Sequence, residues 1–261
     1  MRSIWSGAIS FGLIYIPVRL YNASQDQQLD FDLLRRGDFC PIHYVRVCRE
    51  TGEEVPYEDI VRGYEYEKGQ YVVVEDEDFK RANVRKTQTI DIDSFVNLSE
   101  IDPKYLEKPY YLEPEPQAKK VYALLRDALK QSEKVAIGRF VMRTREHLAL
   151  LIPQEEAIVL NLMRFESEIR PTDDLDLPEE ERASKRELDM AIKLIDHLTQ
   201  PWEPKKFHDT YIEDLKRLIQ DKIEGKQIEV VEEEPIPMEV TDLFAQLTES
   251  LKRVEQDANQ P

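Results

Sequence analysis

The stretch from Val135 to Phe165, VAIGRFVMRTREHLALLIPQEEAIVLNLMRF, constrains the fold most, because it follows the two-residue period of a strand through three successive runs. Val135, Ile137, Arg139, Val141, Arg143 and Arg145 share one parity, and Ala136, Gly138, Phe140, Met142 and Thr144 share the other. One face is therefore apolar and the opposite face turns basic. His147 to Ile152 and Ala157 to Phe165 are the next two runs, interrupted by Pro153, Gln154 and two glutamates, which predicts a three-stranded meander. Guanidinium groups held along a strand make a fixed array of positive charge, and a sugar-phosphate backbone is the natural polyanion to receive it. Charged outward faces are also ordinary on half-buried strands, so periodicity alone leaves a plain solvated face open as well.

With 261 residues the chain can be one large β-rich domain with appendages or two smaller units. It is 41% hydrophobic and 34% charged, which predicts an elongated or oligomeric protein with much exposed surface. The formal net charge of -17 argues at first against a nucleic-acid partner. Its distribution matters more: residues 1–170 carry -5 and residues 171–261 carry -12. Between Lys104 and Arg145 there are ten basic and five acidic side chains. Screening over about 8 Å at physiological salt lets a cationic surface work while an acidic arm lies elsewhere. Met1-Arg2-Ser3-Ile4-Trp5-Ser6-Gly7 runs straight into a strand pattern, so no signal peptide is expected. No apolar run approaches the roughly 20 residues of a membrane span. Two cysteines make no disulfide framework, and the expected compartment is a reducing cytoplasm without membrane contact.

Ala8 to Asn22 has apolar residues at both parities and reads as a strand buried on both faces, bent or ended at Pro17. Cys40 to Val55 reads as a tight hairpin turning near Thr51-Gly52, and Tyr57 to Val74 as alternating aromatics with a Lys68-Gly69 turn. Glu75 to Arg81 is read as holding one helical turn, while Val84 to Val96 and Tyr105 to Leu112 read as strands. Helical period is clear at Gln117 to Ser132, through Val121, Leu124, Leu125, Ala128 and Leu129. Pro171 to Arg182 is an acidic, proline-punctuated linker. Ser184 with Glu187 three residues on predicts a capped helix, Pro201 to Pro204 breaks it, and a second helix runs from about His208 to a stop at Gly225. Glu229 to Glu239 is an acidic spacer. Beyond it Val240, Leu243, Phe244, Leu247, Leu251 and Val254 form a narrow stripe at helical spacing, which docks either on this protein's own body or in a partner's groove.

Candidate chemistry is sparse. Cys40-x2-His43 and Cys48-x2-Thr51 resemble two knuckles of a zinc ribbon, but threonine is not a zinc ligand, so no metal is expected. Asp91 and Asp93 are candidate paired carboxylates of a metal-dependent nuclease, since i and i+2 share a strand face. No phosphate-cradling GxxxxGK[ST] loop and no GxSxG elbow occur, and histidines number four, so neither catalysis nor a cofactor is expected. Besides the strand arginines, basic pairs stand at Arg35-Arg36, Lys80-Arg81, Arg85-Lys86 and Lys119-Lys120. Collected on one concave wall they would form a track for phosphates, and separately each is a surface pair.

The opening RSIWSGAISFGLIYIPVRLY, the stretch EVPYEDIVRGYEYEKGQYVVVEDEDF, the meander block, the helical ELDMAIKLIDHLTQPWEPKKFHDTYIEDLKRLIQDKIEGK and the final VTDLFAQLTESL together resemble bacterial Ku, the DNA-end-binding family of non-homologous end joining. The resemblance runs over almost the whole chain, and the combination of blocks carries the specificity. It implies an α+β fold: an antiparallel β-barrel core at residues 1–170 with a bridging arch near Gly63 to Lys120, then a helical arm at 171–227 that pairs two copies into a ring-shaped homodimer. It implies that residues 228–261 recruit the ATP-dependent DNA ligase D through a C-terminal helix, and that Arg139, Arg143 and Arg145 lie in the barrel block. The protein would then bind double-stranded DNA ends of any sequence and work in the bacterial cytoplasm, on the nucleoid. Two departures stand out: Thr51 where some relatives complete a cysteine set, and an end at Asp257-Ala258-Asn259-Gln260-Pro261 where many continue into a lysine-rich tail, so any contribution of such a tail is expected to be weak or absent. Two rival readings are an acidic protein-protein interaction scaffold that ignores DNA, and the nuclease at Asp91 and Asp93.

Overall fold

The computed structural model describes residues 1–25, 27–82, 88–143, 145–178 and 184–226. The chain divides into two compact units, Met1–Thr172 and Asp173–Pro261. In chain order the first unit holds β1 (Trp5–Phe11), β2 (Ile14–Asn22), β3 (Arg62–Glu67), β4 (Gln70–Val74), α1 (Asp76–Ala82), β5 (Thr89–Asn97), β6 (Leu106–Pro114), α2 (Lys119–Ser132), β7 (Lys134–Met142), β8 (Arg145–Gln154) and β9 (Ala157–Met163). The second holds α3 (Lys185–Leu198) and α4 (Thr210–Ile223).

Seven strands close a barrel in the order β1-β2-β6-β9-β8-β7-β5. All neighbours are antiparallel except β5, which seals the barrel by running parallel to β1, Ala8 to Ser10 lying opposite Thr89 to Asp91. The meander is β7-β8-β9, three consecutive antiparallel strands as predicted. Ala8 to Asn22 is not one bent strand. The chain reverses at Gly12, whose φ of 57° lies in the left-handed region glycine enters freely. Pro17 instead sits inside β2, where β6 runs out at Pro114, and its carbonyl accepts the N–H of Glu115. Pro109 interrupts β6 at a register shift, the position in a sheet that tolerates a missing N–H.

Inside the barrel Ile9, Ile16, Leu20, Phe140, Leu151 and Leu160 are buried in one cluster. Full burial of each such side chain stabilises by roughly 1.5–3 kcal/mol. The amphipathic helix α2 plugs one mouth with Tyr122, Leu125 and Leu129. It is anchored there by the Tyr122 hydroxyl, which donates to the Leu112 carbonyl at 2.6 Å and accepts the Ile158 N–H at 2.6 Å. At the other end Trp5 stacks edge-on against Phe140, with centroids 5.5 Å apart, and its Nε1 donates to the Val141 carbonyl at 2.9 Å.

The chain leaves the barrel wall between β2 and β5. The resemblance sets the arch at 63–120, but β5 and β6 fall in that range and their strand pairing makes both of them staves, so the excursion runs from 23 to 88. It carries two small looped bridges, Leu34 with Pro41 and Val47 with Glu54, and then the β3-β4 ribbon. Gly52 and Gly69, at φ 72° and 79°, make the predicted turns. Every ribbon residue but Val74 is exposed.

In the second unit the Ser184 hydroxyl accepts the Glu187 N–H, and the Glu187 carboxylate takes the Ser184 N–H in return, the predicted capping box. Gly225 follows α4 at φ 71°. Trp202 and Phe207 stack at 5.0 Å between the helices. No residue of α3 or α4 is buried. Among the described residues no helix is long and apolar enough to cross a membrane. The stripe from Val240 to Val254 lies outside the described residues.

Candidate nucleic-acid interface

The three strand arginines do not form a row. β7 ends at Met142, Arg143 turns the hairpin at φ 61°, and Arg145 opens β8 opposite Met142. A left-handed residue inside the run breaks the parity that the sequence suggested. Arg139 alone stays on the outer face of β7, and there it is already engaged. Its Nε and Nη2 grip both oxygens of Asp93 at 2.8 and 2.9 Å, and Asp91 lies opposite it in the ladder. This fork holds the Asp93 carboxyl below its usual range and keeps Arg139 more firmly protonated. Arg145 is likewise tied to Glu168.

The same geometry bears on the nuclease reading. β5 bulges between Ile92 and Ser94, which removes the shared face that regular i, i+2 spacing would have given Asp91 and Asp93. Both Asp93 oxygens are occupied by Arg139. Among the described residues no three His, Cys, Asp or Glu side chains gather as a metal site. Cys40 and Cys48 are free thiols. The N–H groups of Thr51 and Glu50, then the Thr51 hydroxyl, pull the Cys48 thiol down.

The remaining basic candidates are dispersed. Arg35 is paired with Asp38, Arg36 and Arg81 are exposed, and Lys119 and Lys120 stand exposed at the start of α2. The side chain of Lys80, with Arg85 and Lys86, lies outside the described residues.

What the fold does bring together is a set of cations at the mouth opposite α2. Here the β7-β8 turn meets the end of β2 and the start of β6, and encloses a cavity of about 430 Å³ lined by Lys108, Arg143, Arg145 and His147, with Tyr110 and Met142 among its apolar walls. A second concavity of about 680 Å³ shares Ile4, Asn22 and Arg143 with it and continues along the N-terminal residues to Arg2. Lys108 Nζ lies 5.9 Å from the Tyr110 ring centroid. Among the described residues neither Lys108 nor Arg143 is paired with a carboxylate. Sequence reading missed Lys108 and His147. Only the β-bulge signalled by Pro109 hinted that Lys108 leaves the regular ladder.

Burial, then the charge of Arg145, push the His147 imidazole below its ordinary value of 6.5, while Glu107 and Glu168 act weakly in the other direction. The unfolded chain therefore takes up this proton first as pH falls. His147 contributes stability that is fully present above pH 6.5 and is lost as pH drops through 6.5 toward the folded value. Asp93 and Glu168, both lowered, give up theirs only below 3.8 and 4.5. Denaturant midpoints taken from about pH 7 down to about pH 5 should fall in the natural protein and stay nearly level in His147→Gln. Equal slopes for the two would contradict the assignment.

Comparison with known proteins agrees with this architecture. The profile of the family described as Ku, the Ku70/Ku80 beta-barrel domain, matches residues 10–190. A protein of Opitutus terrae named non-homologous end joining protein Ku is 45% identical over 256 residues, covering 97% of this chain and 92% of that one. The like-named protein of Pseudomonas aeruginosa is 43% identical, covering 97% and 87%, and that of Coxiella burnetii is 38% identical, covering 97% and 95%. A closed seven-stranded barrel with appended helices, matched by the family profile over most of its length and by relatives end to end, identifies the chain as a member of the Ku family.

Proposed function

We propose that this protein binds double-stranded DNA ends without regard to sequence, as a homodimeric ring, in non-homologous end joining. The observation that carries the reading is the near-full-length similarity to proteins bearing that name. The exposed ribbon and arm support the dimer. A two-stranded ribbon is marginal alone in water, and so are helices of about 14 residues, so their apolar faces call for cover that a second copy supplies. The scattered exposed cations suit contacts to phosphate rather than to base edges. The excursion 23–88 serves as the arch, residues 184–225 as the dimerising arm, and the stripe Val240, Leu243, Phe244, Leu247 and Leu251 as the segment that recruits an ATP-dependent ligase of the ligase D type. The protein works in the cytoplasm, associated with the nucleoid.

A ring threads only where duplex ends. In a mobility-shift assay a linear fragment is retained, and the same fragment covalently closed into a circle is not. With roughly six phosphates engaged, affinity falls by about a thousandfold between about 50 and about 200 mM salt. Equal retention of the circle overturns the reading, and indifference to both DNAs at low salt leaves the interaction scaffold in its place.

A further inference from the structure

The open barrel mouth has the construction of a pocket for a small anion. Its volume of about 430 Å³ falls at the small end of ligand pockets, roughly 300–1,000 Å³. It is closed below, because Tyr110 and Phe140 are buried in the barrel core beneath it. Two cations flank Tyr110: Lys108, with its Nζ 5.9 Å from the ring centroid, and Arg143, whose charge is felt at the phenol. Arg145 stands at the edge with its charge shared with Glu168, and Glu107 is the other carboxylate whose charge reaches the site. Arg143 is also one of four non-glycine residues held at positive φ among the described residues, a conformation kept where the surroundings require it.

We propose that this mouth binds a phosphate monoester dianion between Lys108 and Arg143, with Arg145 at its rim. A monoester carries about -1.5 to -2 at neutral pH, enough to match two unpaired cations, whereas an internal diester carries a single charge. A pocket closed at its base also admits a terminal group more readily than a strand continuing on both sides. Such a group has two sources: the 5′-phosphate of a DNA end, which rests on the DNA-end reading above, or a free phosphate ester.

The test titrates the full chain, by calorimetry, with adenosine 5′-monophosphate and with adenosine, and separately with two linear duplexes differing only in a 5′-phosphate or a 5′-hydroxyl. The monophosphate binds and adenosine does not. Lys108→Gln and Arg143→Asn each weaken the monophosphate about tenfold, the loss of one charge-assisted hydrogen bond. Asparagine accepts the left-handed turn, so Arg143→Asn keeps the hairpin, and melting temperatures recorded alongside verify folding in both variants. A preference for the phosphorylated duplex that disappears in the variants identifies the DNA terminus as the source. Equal affinity for both duplexes with monophosphate binding intact supports the pocket with a free ester as its ligand. Monophosphate binding without binding of either duplex counts against the DNA-end reading and in favour of the pocket. Absence of monophosphate binding together with equal affinity for the two duplexes overturns the proposal.

Discussion

Gly138→Val lowers the melting temperature of the barrel unit by about 6–12 °C, the equivalent of about 3 kcal/mol in a unit of this size. A Cβ on Gly138 would lie 2.6 Å from the Asp91 carbonyl oxygen and 3.2 Å from the Ile92 Cα, both of them backbone on β5. Because the obstacle is main chain rather than a flexible side chain, relief requires β5 to move outward. β5 is the strand whose parallel pairing with β1 closes the barrel. Gly7 performs the same service on β1, where an added Cβ would meet the Gln88 carbonyl oxygen at 2.2 Å and the Trp5 ring at 2.2 Å. Gly7→Ala therefore also displaces Trp5 from Phe140 and from its bond to the Val141 carbonyl. Gly63 is the control. Its nearest neighbour is the Tyr71 side chain at 3.4 Å on the exposed ribbon, so Gly63→Ala stays within about 0.5 kcal/mol. Thermal unfolding followed by circular dichroism decides the matter: equal melting temperatures for Gly138→Val and the natural protein would mean that the close approach of β7 to β5 is not what holds the seam.

If the chain pairs through α3 as proposed, Ile192→Glu yields monomers and abolishes retention of DNA ends. Leu188, Ile192, Ile195 and Leu198 are 53%, 46%, 63% and 57% exposed on α3. Each is about half exposed, so covering it with a partner contributes half of the roughly 1.5–3 kcal/mol of full burial. The proposed two-fold pairing would place each substitution in the interface twice, so one glutamate per chain is expected to cost about 4 kcal/mol or more, a thousandfold or greater rise in the dimer dissociation constant. Sedimentation velocity at micromolar protein should give one monomeric species, and the linear fragment should run free on a gel. A variant that remains dimeric would show that α3 is not the dimerising surface. One that becomes monomeric yet still retains linear DNA would show that ends are held without a closed ring.

Several features of the chain were legible because their causes are local. The Ser184 hydroxyl and the Glu187 carboxylate are within one helical turn of each other, so their spacing alone specifies a capped start. Gly52, Gly69 and Gly225 each sit where the chain needs a positive φ, and such positions announce themselves in sequence. The alternation of β7, β8 and β9 and the stripe of α2 likewise follow from a single period each. Pro17 misled because proline restricts only its own φ and N–H. In β2 it sits where β6 has run out, while the turn belongs to Gly12.

The candidate site was legible only in part, as Arg143 and Arg145 without Lys108 or His147, and not as a geometry. Counting cations on a strand says nothing about which carboxylates face them. Arg139 is held by Asp93 from a strand 46 residues away in sequence, and Arg145 by Glu168 across 23. Lys108 and Arg143, which carry no such partner among the described residues, come together only because β6 starts and β7 ends at the same mouth.

By itself, then, the sequence determined the meander strands, the helices α2 to α4, the cap at Ser184, the turns at Gly52, Gly69 and Gly225, and the family, since each depends on neighbours within a few residues or on the pattern of the whole chain. Only the tertiary structure decided how the barrel closes, through β5 laid parallel to β1 beside Gly7 and close against β7 at Gly138, and which positive charges are left unneutralised. Both depend on distances between residues far apart in the chain, which periodicity does not encode.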